Sequence, residues 1–119
     1  MNKSGKIWGE TFPLFCNIFV EFSRVFIKPH HHCSLHRHKH KSNLFYVISG
    51  KLVIEVHKND YELVDVTTLE PGDLCTVKPG EFHVFRSLDE PVEALELYYP
   101  EPLSPDDIER RNCGGAEGT

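Results

Sequence analysis

His36-Arg37-His38-Lys39-His40-Lys41-Ser42-Asn43-Leu44-Phe45-Tyr46-Val47-Ile48-Ser49-Gly50 is the stretch on which the reading of this chain turns. In an extended strand, residues two apart face the same side. His36 and His38 therefore present two imidazoles side by side, the beginning of a transition-metal site. His32 and His40 share that parity and are further candidates. Six of the eight histidines lie between His30 and His40. Their spacing, rather than their number, argues against a merely solvated polar loop. Past Asn43 the run becomes β-branched and aromatic, which predicts a strand from Leu44 to Ser49 with Phe45 and Val47 on the face of Asn43. Lys51 to His57 reads as its partner in a hairpin around Ser49-Gly50.

The strand pattern continues in both directions. Asn17 to Lys28 has no helical period and carries apolar residues on both parities: Ile18, Val20, Phe22 and Phe26 on one, Phe19, Val25 and Ile27 on the other. A strand with two apolar faces has to be covered twice. Tyr61 to Leu69 follows the polar turn Lys58-Asn59-Asp60, and Glu70-Pro71-Gly72-Asp73 turns the chain into Leu74 to Val77. Lys78-Pro79-Gly80 leads into His83 to Ser87, with Phe85 and Ser87 on the face of His83. A last strand runs from Val92 to Tyr99, with Leu95, Leu97 and Tyr99 on one face. Short strands at near-regular spacing between Gly, Pro and Asn turns describe an all-β sandwich or barrel. After Pro100, Ser104-Pro105 supplies an N-cap and an N1 proline for one helical turn through Glu109, and 113–119 is Gly-rich.

Composition narrows the function classes. A chain of 119 residues has room for one core, so a single domain over 1–119 is expected. With 39% hydrophobic and 26% charged residues it is an ordinary globular composition. A net charge of −5 argues against nucleic acid as a partner. The one dense basic cluster, Arg37, Lys39 and Lys41, is interleaved with histidines. The uncharged stretch Thr11 to Val20 contains Pro13 and is too short to cross a bilayer, so no membrane partner and a cytoplasmic location are expected. Cys16, Cys33, Cys75 and Cys113 have no C-x-x-C spacing and read as free thiols.

Two ordered motifs resemble those of the cupins. His36-x-His38, Asn43 and Gly50 follow the first cupin motif, in which H-x-H precedes a Glu and then a Gly. Gly72, Gly80 and His83 follow the second, with the proline one position late at Pro79. The motifs cover residues 36 to 83, and the flanking strands extend the likeness to about 15–99. The resemblance implies a jelly-roll barrel with an irregular or one-turn helical tail over 100–119. It also implies metal ligation by His36, His38 and His83, with Asn43 at the position where the family carries glutamate. An amide gives only a neutral carbonyl oxygen to a metal. Three neutral nitrogens fit Fe, Zn, Ni, Mn or Cu, a divalent transition metal whose identity the sequence does not choose.

The one-domain form is similar to the mannose-6-phosphate isomerase-like cupins. That likeness implies a metal-dependent enzyme of isomerase, lyase or dioxygenase type on a small polar metabolite such as a sugar or sugar phosphate. The alternative is a non-catalytic small-molecule or carbohydrate-binding module. No general base stands out; His40 is the nearest by parity. Tyr46 and Tyr61 read as packing or rim residues, and Glu55 and His57 as solvent-facing. A homodimer is expected, because pairing across a two-fold axis would cover the second apolar face of the Asn17 to Lys28 strand.

Overall fold

The computed structural model describes residues 4–58 and 63–100. Tyr61, Cys113 and the expected helical turn from Ser104 lie outside them. Nine strands follow one another: β1 (Ser4–Lys6), β2 (Gly9–Cys16), β3 (Glu21–Ile27), β4 (Lys41–Ser49), β5 (Leu52–Lys58), β6 (Leu63–Leu69), β7 (Leu74–Val77), β8 (Phe82–Arg86) and β9 (Val92–Pro100). They form a six-stranded sheet in the order β1-β2-β3-β9-β4-β7 and a three-stranded sheet in the order β6-β5-β8, antiparallel throughout. This is the expected all-β jelly roll.

Two local expectations are corrected and one strand is added. The strand read from Asn17 begins at Glu21, because Asn17 closes a turn: its Oδ1 accepts the N–H groups of Phe19 and Val20 at 2.8 and 2.7 Å. Ile18 and Phe19 are thereby at an exposed hairpin tip. The added strand is β2, which tolerates Pro13 beside a register shift between Pro13 and Phe15. The proposed hairpin around Gly50 does not form. β4 pairs with β9 and β7, whereas β5 pairs with β6 and β8. Gly50 is instead the crossing between the sheets, with φ of +78° and Pro91 O only 2.3 Å from where a Cβ would sit. No side chain fits there.

The register builds a polarity gradient along the interior. Across β3, β9 and β4, Val25, Ala94 and Val47 form one inward row. The next is Ser23, Glu96 and Phe45, and the next Glu21, Tyr98 and Asn43. Val25, Val47 and Ala94 are at most 3% exposed and join Ile27, Leu52, Ile54, Val77 and Phe85 in the core. Each buried Val, Leu, Ile or Phe side chain contributes about 1.5–3 kcal/mol. One end of the barrel is thus apolar and packed, and the other is polar. The inward parity of β9 is Val92, Ala94, Glu96 and Tyr98, the opposite of the Leu95, Leu97 and Tyr99 face, which looks outward and is only half-buried.

Candidate metal centre

His36 and His38 do not lie in a regular strand. The 30–38 segment runs antiparallel beside β8 and is stitched to it by Cys33 N to Phe85 O, Ser87 N to His31 O and Gly80 N to His38 O. At its middle His36 and His83 exchange both backbone bonds, at 3.1 and 2.8 Å. From Cys33 to His36 the segment advances three residues while β8 advances two, a bulge that turns the histidines toward the barrel's polar end.

The imidazoles of His36, His38 and His83 converge, with ring centroids 4.4 to 5.7 Å apart. One nitrogen from each lies within 4.8 Å of the others, so the trio could hold a metal ion. The tautomers suit that use. His36 Nδ1 donates to Ser34 O at 2.7 Å and His83 Nδ1 to Glu81 O at 3.1 Å, which leaves each Nε2 with its lone pair. Burial holds His38 down to about 4, helped by Lys41 and the neighbouring histidines, and burial also lowers His83. Both are therefore neutral donors at pH 7.

Asn43 is 1% exposed and faces the same space. Its Nδ2 donates to Glu96 Oε2 at 3.2 Å and lies 3.5 Å from His83 Nε2. His38 Nε2 and Asn43 Oδ1 are buried with no hydrogen-bond partner. Buried polar atoms without partners are uncommon, and the His38 nitrogen is one that a divalent cation held by the trio would satisfy. The donor set fits a metal.

Glu96 and Tyr98 are the residues that sequence reasoning missed. Glu96 is 7% exposed, and burial pushes its carboxyl up to about 7. Tyr98 hydrogen-bonds with both Glu96 and Asn43, its hydroxyl raised well above the usual phenol range by burial, and its ring meets His38 edge-on at 5.0 Å. The signal was present as the Val92, Ala94, Glu96, Tyr98 parity, but Leu95, Leu97 and Tyr99 on the other face outweighed it. Glu96, Tyr98, Ser23, Trp8 and His36 line a cavity of about 440 Å³, ample for a small metabolite.

Other candidates are not part of this centre. His32 and His40 are exposed and outside the trio, and His30 and His31 stay near Asp89 and Pro29. Glu55 faces away from the core as expected but is engaged by Arg86 at 3.0 Å, and His57 lies 3.9 Å from it. Tyr46 is exposed; Phe85 and Ser87 are buried with His83. Cys33 accepts the Phe85 N–H, and burial pushes its thiol up to about 11, as burial also raises Cys75. Cys16, Cys33 and Cys75 are free.

No helix among the described residues is long and apolar enough to cross a membrane. No curated protein sequence matches the chain. Among solved structures, KdgF from Halomonas sp. superposes with a TM-score of 0.71 at 14% identity, covering 86% of this chain and 90% of that one. Oxalate decarboxylase from Bacillus subtilis, described with Mn(II) centres, gives a TM-score of 0.73 at 18% identity over 89% of this chain and 29% of its own. The Cnp3 cupin domain of Schizosaccharomyces pombe gives 0.72 at 14% identity, over 85% of this chain and 69% of that one. These identities speak for a shared fold. The cupin domain family profile matches residues 23–98, most of the chain, including His36, His38, Asn43, His83, Glu96 and Tyr98. The chain belongs to the cupin family.

Proposed function

We propose that this cupin is a metal-dependent enzyme acting on a small polar metabolite such as a sugar or sugar phosphate, of isomerase, lyase or dioxygenase type, in the manner of the mannose-6-phosphate isomerase-like cupins. The observation that carries the reading is Glu96, a buried carboxyl on the wall of a cavity that His36 also lines. His36, His38 and His83 would hold one divalent ion, with Asn43 Oδ1 as a weak fourth donor. The metal would supply Lewis-acid polarisation of a carbonyl or hydroxyl. Beside it, a carboxyl poised at about 7 can hold or release a proton near neutral pH, the role for which the sequence offered only His40. Asn43 and Tyr98 fix that carboxyl by hydrogen bonds. A binding module without turnover is favoured by one feature, the amide in place of a carboxylate at position 43.

Metal content by elemental analysis, on protein purified without an affinity resin, tests the centre. One ion per chain is expected in the wild type and in a His30/His31/His32 triple alanine variant, and none in His83→Ala. Full metal in His83→Ala with loss in the triple variant would reject the assignment. Turnover that disappears in Glu96→Gln while metal stays bound separates enzyme from binding module; a conversion that Glu96→Gln performs at the wild-type rate would remove Glu96 from the chemistry.

A further inference from the structure

The basic cluster Arg37, Lys39 and Lys41 is anomalous in a chain of net charge −5, and the metal centre alone gives it no role. In the fold it is concave. These three residues and His40 line a second cavity, of about 460 Å³, together with His38. His36 lines the first cavity and His38 the second, while Lys41 lines both, so two of the trio's histidines face different chambers and Lys41 joins them. The two chambers differ in character. Glu21 and Glu96 line the first, whereas no Asp or Glu among the described residues lines the second.

Two of the second chamber's cations lie over rings. Arg37 lies over Phe82 at 4.7 Å and Lys41 over Tyr98 at 4.0 Å. An aromatic face orients a cation without cancelling its formal charge. Ile18 and Phe19, from the β2–β3 hairpin tip, form an apolar part of the same wall. Several like charges gathered in a concavity with low-dielectric walls concentrate an anion there.

We propose that the Arg37, Lys39, His40 and Lys41 chamber is the subsite for the anionic group of the substrate, a phosphate or carboxylate on a small hydroxylated molecule whose oxygen atoms reach the histidine trio. The inference rests on the reading of that trio as the reaction centre and names the substrate class it serves. Anion and oxygen donors then lie on one small skeleton, and the neutral end extends toward Ser23 and Tyr98 in the first chamber.

Three probes with one skeleton test it: glycerol, glycerate and glycerol 3-phosphate, titrated calorimetrically into metal-loaded protein. Both anions should bind at least about tenfold tighter than glycerol, as charge-assisted contacts imply, and their preference should shrink as salt is raised. The tighter of the two identifies the group as phosphate or carboxylate. In an Arg37→Ala/Lys39→Ala variant the advantage should drop below about threefold while metal affinity is unchanged; both positions are exposed, so folding is preserved. Equal affinity for all three probes, no binding of any at millimolar concentration, or an undiminished preference in the double variant overturns the subsite. Metal content is read separately. If the wild type takes up no ion, the metal reading fails, and the same comparison on the metal-free protein still decides the anion subsite.

Discussion

At residue scale, Glu96 and the buried histidines impose opposite pH dependences on the metal-free protein. Glu96 sits at about 7 in the fold against 4.5 in the unfolded chain, so the folded state keeps a proton that the unfolded state releases. Its contribution is complete below about 4.5 and is lost as the pH rises through 7. His38, lowered from 6.5 to about 4, and His83, also lowered, act with the other sign: their contribution is present above 6.5 and lost as the pH falls. Comparing wild type with Glu96→Gln isolates the glutamate. In urea unfolding of metal-free protein, the variant should gain on the wild type between pH 5 and 7, by up to roughly 3 kcal/mol. Parallel stability curves would show that the carboxyl is not held protonated. Asn43 offers the companion experiment. Its inward placement, 1% exposed, means that Asn43→Glu puts a charge into the centre and should tighten divalent-metal binding about tenfold or more. The new carboxylate would also face Glu96 across a contact now 3.2 Å long, so the metal-free variant should lose stability, and Glu96→Gln should restore it. Unchanged metal affinity would return Asn43 to a packing role.

At the scale of elements, Gly50 is where the chain leaves one sheet for the other. A Cβ there would meet Pro91 O at 2.3 Å in a left-handed backbone conformation. Gly50→Ala should therefore destabilise by about 2–4 kcal/mol, read from chemical denaturation, whereas alanine at Gly72, where the space is open, should cost less. A loss under 0.5 kcal/mol at Gly50 would mean the crossing is not fixed as described. Gly50 also shows what the sequence could and could not reveal. Turn residues and alternation marked β5, β7, β8 and β9 to within a residue, whereas β4 starts three residues earlier than read, among the histidines and lysines that masked the start of its alternation. Which strands pair was not legible: a glycine between two strands reads the same whether the chain doubles back or crosses to a facing sheet. β2 was not read from the sequence, and the register shift that accommodates its Pro13 is visible only in the pairing with β3. The three histidines were legible from motif spacing. Glu96 was not, since on a strand with two partly apolar faces the alternation does not say which face is inside.

At the scale of the whole molecule, the outer surface of the six-stranded sheet bears on the proposed homodimer. β3 lies between β2 and β9, not at an edge, yet its outward residues continue an apolar row: Phe22, Leu97 and Leu44 are register partners and all half-buried. A second copy set on this face would cover them. Sedimentation at micromolar concentration should show a dimer in the wild type and a monomer in Phe22→Asp or Leu97→Asp; a wild-type monomer would remove the proposal. The last consequence follows from the paired backbone bonds between His36 and His83. Main-chain geometry sets their separation before any ion arrives, so the centre is a socket and not a staple. Chelation should strip the metal without altering the far-ultraviolet circular dichroism, and reloading should be complete. A socket whose shape owes nothing to its occupant accepts whichever fitting ion is abundant, and the metal recovered on purification should then track the metal supplied in the growth medium.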